Sequence, residues 1–337
     1  MPSAAIASGP RTPYLCPKFR PPSRETLEMS RRTLTTVAGI AAGCAIGLAW
    51  GRRVARHGRA RHPVLAGAPL LIAHRGGAGL APENTLPAFH AAVEDWAADM
   101  IELDVRATRD GHCVVLHDPT VDRTTDGTGP VAEMTLDELR RLDAGYRFTP
   151  DGGASFPFRG QGIRVPTIEE VLDALPDTRL TIEVKTPEAQ RPLLEALRRA
   201  RAEHRVILAG EHDAARTLFP SFPGPISASA SQVRRFWILH RACASALWAP
   251  PADAVQIPEA WEGRRFLNPR FIRDLHAHGI DVHIWTVNEV EEMRRLLDWG
   301  VDGIITDRPD RLADLLTERE RRPPAPARQR FRRPSVE

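Results

Sequence analysis

The chain has 337 residues, of which 42% are hydrophobic and 26% charged. This composition excludes a largely disordered protein, and the length allows one large barrel or two smaller domains. The formal charge of +3 is unevenly distributed, because residues 1–62 contain 11 Lys or Arg and two Glu, residues 318–337 contain seven Arg and three Glu, and residues 63–317 are left with −10. An acidic body argues against nucleic acid as a partner. The basic ends are either solvated tails or contacts for anionic lipid.

The N-terminal 66 residues divide into three predicted segments. Residues 1–32 are basic, rich in Pro, Ser and Arg, and without periodicity, which predicts disorder. Residues 33–51 carry no charge, and as a helix they would rise about 28 Å, close to the thickness of a bilayer core. We expect a single-pass membrane anchor here, followed by a basic linker over 52–66. A cleaved export signal and a buried segment stay open as alternatives, and the equal basic flanks leave the side of the membrane undecided.

Residues 67–317 alternate between apolar strands and amphipathic helices. Strands are predicted at 70–74, 100–105, 113–117, 180–184, 205–209, 226–229, 254–257, 280–286 and 302–306. Helices are predicted at 86–96, 167–175, 188–203, 212–218, 231–246, 268–278 and 288–298. Strand and helix alternate about eight times, which predicts an α/β fold of the TIM (β/α)8 barrel type.

Two parts of this region depart from the simple alternation. The strands 100–105 and 113–117 are joined by Arg109-Asp110-Gly111, which predicts an antiparallel hairpin. The turn-rich stretch at about 119–166 is predicted to be a small insertion after the second strand. Beyond the barrel, residues 318–337 are predicted to form a disordered tail rich in Arg and Pro.

Polar side chains collect near the predicted carboxyl ends of the strands, which form the active face of such a barrel. Glu102 and Asp104 are two residues apart and therefore point to the same face of a buried strand. Unpaired charges are costly in such a place, so the pair needs a cation or strong donors. Together with Glu183 they offer an oxygen-rich site for one divalent cation, Ca²⁺ or Mg²⁺. The structural alternative is a salt bridge or hydrogen bond within the barrel.

Two histidines, His74 and His117, also follow apolar runs. Imidazole titrates near neutral pH, so the pair is suited to proton transfer. Each of them alone would more simply be a hydrogen-bonded core residue.

Five separate segments of the chain resemble the glycerophosphodiester phosphodiesterase family over about residues 70–316. They are Leu71-Ile72-Ala73-His74-Arg75-Gly76 with Pro82-Glu83-Asn84-Thr85, Ile101-Glu102-Leu103-Asp104-Val105 with Val114-Val115-Leu116-His117-Asp118, Ile182-Glu183-Val184-Lys185, Trp285-Thr286-Val287-Asn288, and Val301-Asp302-Gly303-Ile304-Ile305-Thr306-Asp307-Arg308-Pro309. They occur in the family's order. A single His-Arg-Gly would be weak evidence, whereas five ordered segments are specific.

The resemblance implies metal-dependent hydrolysis of glycerophosphodiesters to sn-glycerol 3-phosphate and an alcohol, on a barrel whose insertion shapes the substrate mouth. By resemblance, Glu102, Asp104 and Glu183 are the metal ligands. His74 and His117 are the general acid and base, in an order that the sequence leaves open, and the attacking oxygen is the substrate's own glycerol hydroxyl.

Four more residues are assigned to substrate binding. Arg75 and Lys185 are expected to hold the phosphate. Trp285 either packs on the glycerol or alkyl part of the substrate or is an ordinary packing residue of the barrel. Glu83 either holds Arg75 or a histidine in place or is a carboxylate at a helix start, while Asn84 and Thr85 are read as helix caps.

Two other functions stay open at this point. They are a phospholipase D-like barrel that acts on lysolipids, and a catalytically silent barrel that serves as a membrane-tethered binding module. A long apolar groove beside the metal would favour the first of these, and a short polar cup the glycerophosphodiesterase. The sequence leaves the alcohol and the oligomeric state undetermined.

Overall fold

The computed structural model of the protein describes residues 61–261 and 264–326. The predicted disordered N-terminus, the predicted anchor at 33–51 and most of the linker lie outside the described residues. Among the residues that are described, no helix is both long and apolar enough to cross a bilayer.

Seven parallel strands form the wall of a barrel in the described part of the chain, and one antiparallel strand pairs with the second of them. The strands are β1 (Leu70–His74), β2 (Met100–Ala107), β3 (Cys113–Val115), β4 (Arg179–Val184), β5 (Val206–Ala209), β6 (Ala254–Pro258), β7 (Ala260–Trp261), β8 (Arg264–Arg265), β9 (Asp281–Trp285) and β10 (Gly303–Thr306). The order around the barrel is β5-β4-β2-β1-β10-β9-β6, while β7 and β8 form a separate pair that the sequence did not predict.

The predicted strand at 226–229 forms only two isolated bridges, Ile226 to Leu208 and Ser227 to Ala254. It cannot form a longer ladder, because Pro225 has no N–H to donate and Ser229 already caps the following helix. The two parallel bridges nevertheless span the gap between β5 and β6. The barrel is therefore nearly closed, with seven full strands in the wall and this short segment at the eighth place.

Six of the seven predicted helices are present, and the structure adds two, at Leu136–Leu139 and Pro309–Glu318, that the sequence did not predict. The helices are α1 (Leu86–Glu94), α2 (Leu136–Leu139), α3 (Ile168–Ala174), α4 (Gln190–Ala200), α5 (Ala230–Arg241), α6 (Pro269–His276), α7 (Val290–Trp299) and α8 (Pro309–Glu318). Side-chain oxygens of Thr85, Thr167 and Ser229 cap α1, α3 and α5 by accepting backbone N–H bonds. The predicted helix at 212–218 is wrong, because this stretch forms only a 3₁₀ turn at Asp213–Arg216.

The predicted hairpin is confirmed, since β2 and β3 pair antiparallel with Val105 opposite Val115. Gly111 has a φ of +87° in the turn, a conformation that glycine adopts without strain. The residues between β3 and α3 form the predicted insertion, which also contains the short helix α2. A small hydrophobic cluster around Val121, Leu139 and Val165 holds it together.

The segment just before β1 covers the end of the barrel at which the parallel strands begin. Val64 and Leu65 are buried against Leu70 and Met100, at the amino-terminal ends of β1 and β2. The Arg179 guanidinium donates hydrogen bonds to the carbonyl oxygens of this segment at Val64 and Ala66. The chain thus enters the barrel at the face that lies away from the strand carboxyl ends.

Candidate active site

A cavity of about 190 Å³ opens at the carboxyl ends of the strands. Eight of the nine residues predicted from the sequence line it, namely His74, Arg75, Glu102, Asp104, His117, Glu183, Lys185 and Trp285. The ninth, Glu83, lies behind Arg75 and contacts its guanidinium. The barrel thus brings residues from β1, β2, β4, β9 and the hairpin to one place.

The three carboxylates form a compact cluster. Asp104 and Glu183 lie opposite each other on the paired strands β2 and β4, and one oxygen from each of Glu102, Asp104 and Glu183 lies within 4.8 Å of the others. Burial, followed by the charge of Asp104, raises the pKa of Glu102 to about 7. Buried oxygen donors that repel one another fit a hard divalent cation, so this chain's residues are compatible with the expected metal.

Two cations already partly balance these charges. The Lys185 ammonium lies 2.9 Å from Glu183 Oε1 and 3.1 Å from Asp104 Oδ1. Arg75 Nε lies 3.3 Å from Asp104 Oδ2. Burial disfavours the charged form of Asp104, but Lys185 and Arg75 outweigh this effect and lower its pKa. Both basic side chains are only 15% exposed, so each approaches the cavity as a nearly fixed charge.

His74, the last residue of β1, is held by a carboxylate from the last barrel strand. Its Nδ1 lies 2.6 Å from Asp307 Oδ1, and its Nε2 lies 3.9 Å from Glu102 Oε2. Asn288 fixes Asp307 in turn, because its amide donates to Asp307 Oδ2 at 2.8 Å and its side-chain oxygen accepts from the Asp307 backbone N–H. Burial lowers the pKa of His74, but Glu102 and Asp307 more than compensate, and the net shift is upward.

His117, which lines the same cavity, has a similar partner. Its Nδ1 lies 2.6 Å from Asp118 Oδ1. The Arg123 guanidinium, which comes from the insertion, bonds both to Asp118 Oδ2 at 2.6 Å and to Glu83 at 2.6 and 2.8 Å. Since Glu83 also accepts from Arg75 at 2.9 Å, one chain of charges links His117 to Arg75. Glu83 therefore contacts Arg75, and the N-cap of α1 is Thr85.

Besides Asn288, which contacts Asp307, four residues of this arrangement were not predicted from the sequence. Asp118 and Asp307 stand inside the recognised segments but were given no role, and Arg123 lies in the insertion. Asn84 was read as a helix cap, and this is wrong: its φ is +58°, and its amide donates to Asp104 Oδ2 at 3.0 Å. The position of Asp118 directly after His117 was a usable signal for one of the four.

One wall of the cavity is apolar. Trp285, the last residue of β9, is 40% exposed at the rim, and Val233 and Phe266 line the same cavity. The floor is charged and the wall is apolar, so the site can receive an anionic group at Arg75 and Lys185 and a less polar group beside the tryptophan.

Known proteins of similar sequence identify the family and the enzyme class of the chain. The sequence profile of the glycerophosphoryl diester phosphodiesterase family matches residues 74–311. The chain belongs to this family. A glycerophosphodiester phosphodiesterase from Caldanaerobacter subterraneus subsp. tengcongensis is 36% identical over 258 residues, which cover 73% of this chain and 97% of that protein. The predicted family and the predicted enzyme class, a phosphoric diester hydrolase, are thus confirmed.

Solved structures of relatives have the same fold. The glycerophosphodiester phosphodiesterase of Agrobacterium tumefaciens is 27% identical with a TM-score of 0.59, and the match covers 73% of this chain and 99% of that one. A phosphodiesterase of Oleispira antarctica, solved in complex with the product sn-glycerol-3-phosphate, is 25% identical with a TM-score of 0.58, over 75% of this chain and 99% of that one. The TIM-barrel prediction is confirmed for the residues from β1 to α8.

Proposed function

We propose that this phosphodiesterase cleaves glycerophosphodiesters to sn-glycerol 3-phosphate and an alcohol, with His74 and His117 as general acid and base and with one divalent cation, Ca²⁺ or Mg²⁺. The observation that carries the proposal is the pair of histidine–aspartate contacts in the cavity that also contains the three-carboxylate cluster. The product bound in the Oleispira antarctica relative supports the glycerol phosphate half of the substrate.

Each histidine is held so that one nitrogen remains for the substrate. Asp307 and Asp118 occupy the Nδ1 atoms of His74 and His117 at 2.6 Å, which leaves Nε2 for proton transfer. One histidine takes the proton of the attacking oxygen, and the other delivers a proton to the leaving alcohol. The aspartates stabilise whichever imidazole carries the charge.

The phosphate is held by the two basic side chains. Arg75 offers a planar fork and Lys185 a point charge to the non-bridging oxygens, where negative charge increases in the transition state. Glu102, Asp104 and Glu183 would hold the cation, which when bound supplies further charge neutralisation at the phosphate. Trp285 packs against the glycerol or alkyl part of the substrate.

The nucleophile in this proposal is the hydroxyl of the substrate's own glycerol. Within the described residues no Ser or Cys hydrogen-bonds to either histidine, whose Nδ1 atoms are bound by Asp307 and Asp118. A hydroxyl within the substrate is already positioned beside the phosphate, which can lower the barrier by several kcal/mol. The first product is then a cyclic glycerol phosphate, which water opens in a second step.

Product analysis on the full-length protein tests the proposal. Glycerophosphocholine and glycerophosphoethanolamine should release sn-glycerol 3-phosphate. Bis(p-nitrophenyl) phosphate lacks the neighbouring hydroxyl and should react far more slowly in kcat/KM. Comparable rates on the two substrate types would contradict internal attack. Faster turnover of lysophosphatidylcholine would instead assign the enzyme to lysolipids, and no turnover of any of these substrates would favour a silent binding barrel.

Single substitutions of the histidines test their roles. His74→Ala and His117→Ala should each lower kcat by roughly 10²–10⁴-fold, the usual effect of losing an acid or base. His90→Ala is the matched control, because His90 lies on α1 and pairs with Glu94 on the same helix. A near-normal kcat in either active-site variant would show that this histidine is structural.

We also propose that residues 33–51 anchor the protein in a membrane. The support is their lack of charge over 19 residues between paired arginines. The full-length protein should then stay in the membrane pellet after extraction at alkaline pH. A shortened protein in the soluble fraction would indicate a cleaved signal instead.

A further inference from the structure

The segment 230–252, which comprises α5 and the loop after it, has an unusual charge. It contains Arg234, Arg235 and Arg241 but neither Asp nor Glu. The surrounding body, residues 63–317, carries a net charge of −10. A stretch of 23 residues that is free of acidic groups and basic in net charge is therefore a local exception on an acidic domain.

The three arginines lie on one face of α5 together with an apolar side chain. Arg234, Arg235, Ile238 and Arg241 follow the three- and four-residue spacing of a single helical face, and all four are exposed. Phe236, on the other side of the helix, is fully buried and packs against α6 through Phe271. Leu247 is also exposed, in the 3₁₀ turn after the helix, and it directly precedes Trp248, whose ring contacts Arg235. We call Arg234, Arg235, Ile238, Arg241 and Leu247 the α5 face.

Apolar exposure is concentrated here. Among the described residues, three large hydrophobic side chains are exposed: Ile238 at 54%, Leu247 at 66% and Trp285 at 40%. Two of them belong to the α5 face, and Trp285 stands at the rim of the active-site cavity. Leaving two aliphatic side chains more than half in water forgoes the free energy that their burial would provide.

The arginines of this face have no acidic partner among the described residues, and two of them lie over tryptophan rings. The Arg235 guanidinium is 4.3 Å from the centre of the Trp248 ring, and that of Arg241 is 5.8 Å from the centre of the Trp237 ring. Both tryptophans are half-buried. Exposed aliphatic groups, tryptophans at intermediate depth and unpaired arginines are the side chains that contact the interface of an anionic bilayer.

We propose that the α5 face docks on an anionic lipid surface. The arginines meet the lipid phosphates, while Ile238 and Leu247 enter the acyl boundary. The first turn of α5 borders the active site, because Ala230 and Val233 line the cavity. Docking through this helix brings the cavity mouth close to the membrane. The surface is part of the catalytic domain itself and is independent of the anchor proposed at 33–51.

Cys243 provides a local reporter, because it is exposed directly after α5. In the full-length protein with Cys16 and Cys44 replaced by Ser, a fluorophore sensitive to polarity can be attached there, since Cys113 is buried. Vesicles with 30% phosphatidylglycerol should shift its emission to the blue, and pure phosphatidylcholine vesicles should not. The comparison is valid even when another segment holds the protein on both vesicle types, because the dye reports only its own surroundings.

Charge variants provide the decisive comparison. Each basic residue near an anionic surface contributes roughly fivefold to partitioning, so R234Q/R235Q/R241Q should need at least tenfold more anionic lipid for the same shift. The matched control is R191Q/R198Q/R199Q, which removes three exposed arginines from α4 and should leave the lipid dependence unchanged. I238S/L247S keeps every charge and should weaken the shift as well.

Three results would overturn the proposal. They are an absence of any shift with phosphatidylglycerol, equal effects of the α5 and α4 triple variants, and a shift that depends on protein concentration without vesicles. The last result would identify an interface between copies of the chain. If thermal unfolding shows that the α5 triple variant does not fold, I238S/L247S decides the question alone. None of these measurements depends on activity, so failure here is distinguishable from failure of the proposed reaction.

Discussion

The contact between Asp307 and His74 predicts the effect of a nearly isosteric substitution, Asp307→Asn. The carboxylate lies 2.6 Å from Nδ1 and is 24% exposed, so it forms a short hydrogen bond that becomes charge-assisted when the imidazole is protonated. Such bonds contribute about 1.5–3 kcal/mol. At about 1.36 kcal/mol per factor of ten in rate, losing this bond should lower kcat roughly 10- to 150-fold. KM should change little, because Arg75 and Lys185 still hold the phosphate.

The pH profile of the same variant provides a second readout. Asp307 is one of the groups that raise the pKa of His74, so the pKa should fall in Asp307→Asn. If His74 acts as the acid, activity should decline at a lower pH than in the wild type. If it acts as the base, activity should begin at a lower pH. In both cases the part of the pH profile that His74 controls moves to lower pH. Activity falls with rising pH in this part if His74 is the acid, and it increases if His74 is the base.

The assay is steady-state release of choline from glycerophosphocholine between pH 5 and 9. Asp310→Asn is the matched control, since Asp310 lies three residues further along and pairs with Arg308 instead of a histidine. A kcat within twofold of the wild type, together with an unchanged pH profile, would refute the role assigned to Asp307.

Three further predictions concern the metal, the insertion and the far end of the barrel. Chelator should abolish activity, and Ca²⁺ or Mg²⁺ should restore it. Glu183→Gln should weaken cation binding, measured by calorimetry, at least tenfold, because one of the three proposed oxygen ligands loses its charge. Arg123→Gln should raise KM roughly three- to tenfold at similar kcat, since Glu83 loses its hydrogen bonds of 2.6 and 2.8 Å and holds Arg75 less firmly. His276 Nε2 lies 2.6 Å from Asp302, and this hydrogen bond raises the pKa of His276. Below pH 6.5 the wild type should therefore be more stable than His276→Gln by the full contribution of the pair. After allowance for exposure this is about 0.5–1 kcal/mol, or about 1–4 °C in Tm. The difference should disappear as the pH rises through the raised pKa of His276.

Each of these predictions has a control and an outcome that would contradict it. Glu188→Gln, just beyond β4, should bind the cation normally, and full turnover in excess chelator with no metal found by elemental analysis would exclude metal dependence. Arg109→Gln removes an exposed pair with Glu138 and should leave KM unchanged. A difference in Tm for His276→Gln that is constant between pH 5.5 and 8.5 would show that the pair does not titrate with folding.

Local sequence determines those features that depend on neighbouring residues. The two-residue spacing of Glu102 and Asp104 places both on one face of β2 because side chains alternate along any strand. Thr85 caps α1 because its hydroxyl oxygen lies directly before the helix and accepts the backbone N–H of Ala88 in the first turn. Arg109-Asp110-Gly111 makes the hairpin because glycine accepts the positive φ of the turn. These features could be predicted, and so could the alternation that implies a barrel.

Tertiary structure decides which distant residues meet, because closure of the barrel pairs its first strand with its last. Ala73 on β1 lies opposite Thr306 on β10, and only this register brings Asp307 to His74 across 233 positions of sequence. The fold of the insertion likewise carries Arg123 to Glu83, 40 residues away. The spacing of residues along the sequence does not predict these two contacts, since they depend on strand order and register. The sequence therefore identifies the candidate site residues, whereas the closing of the barrel determines which carboxylate contacts His74.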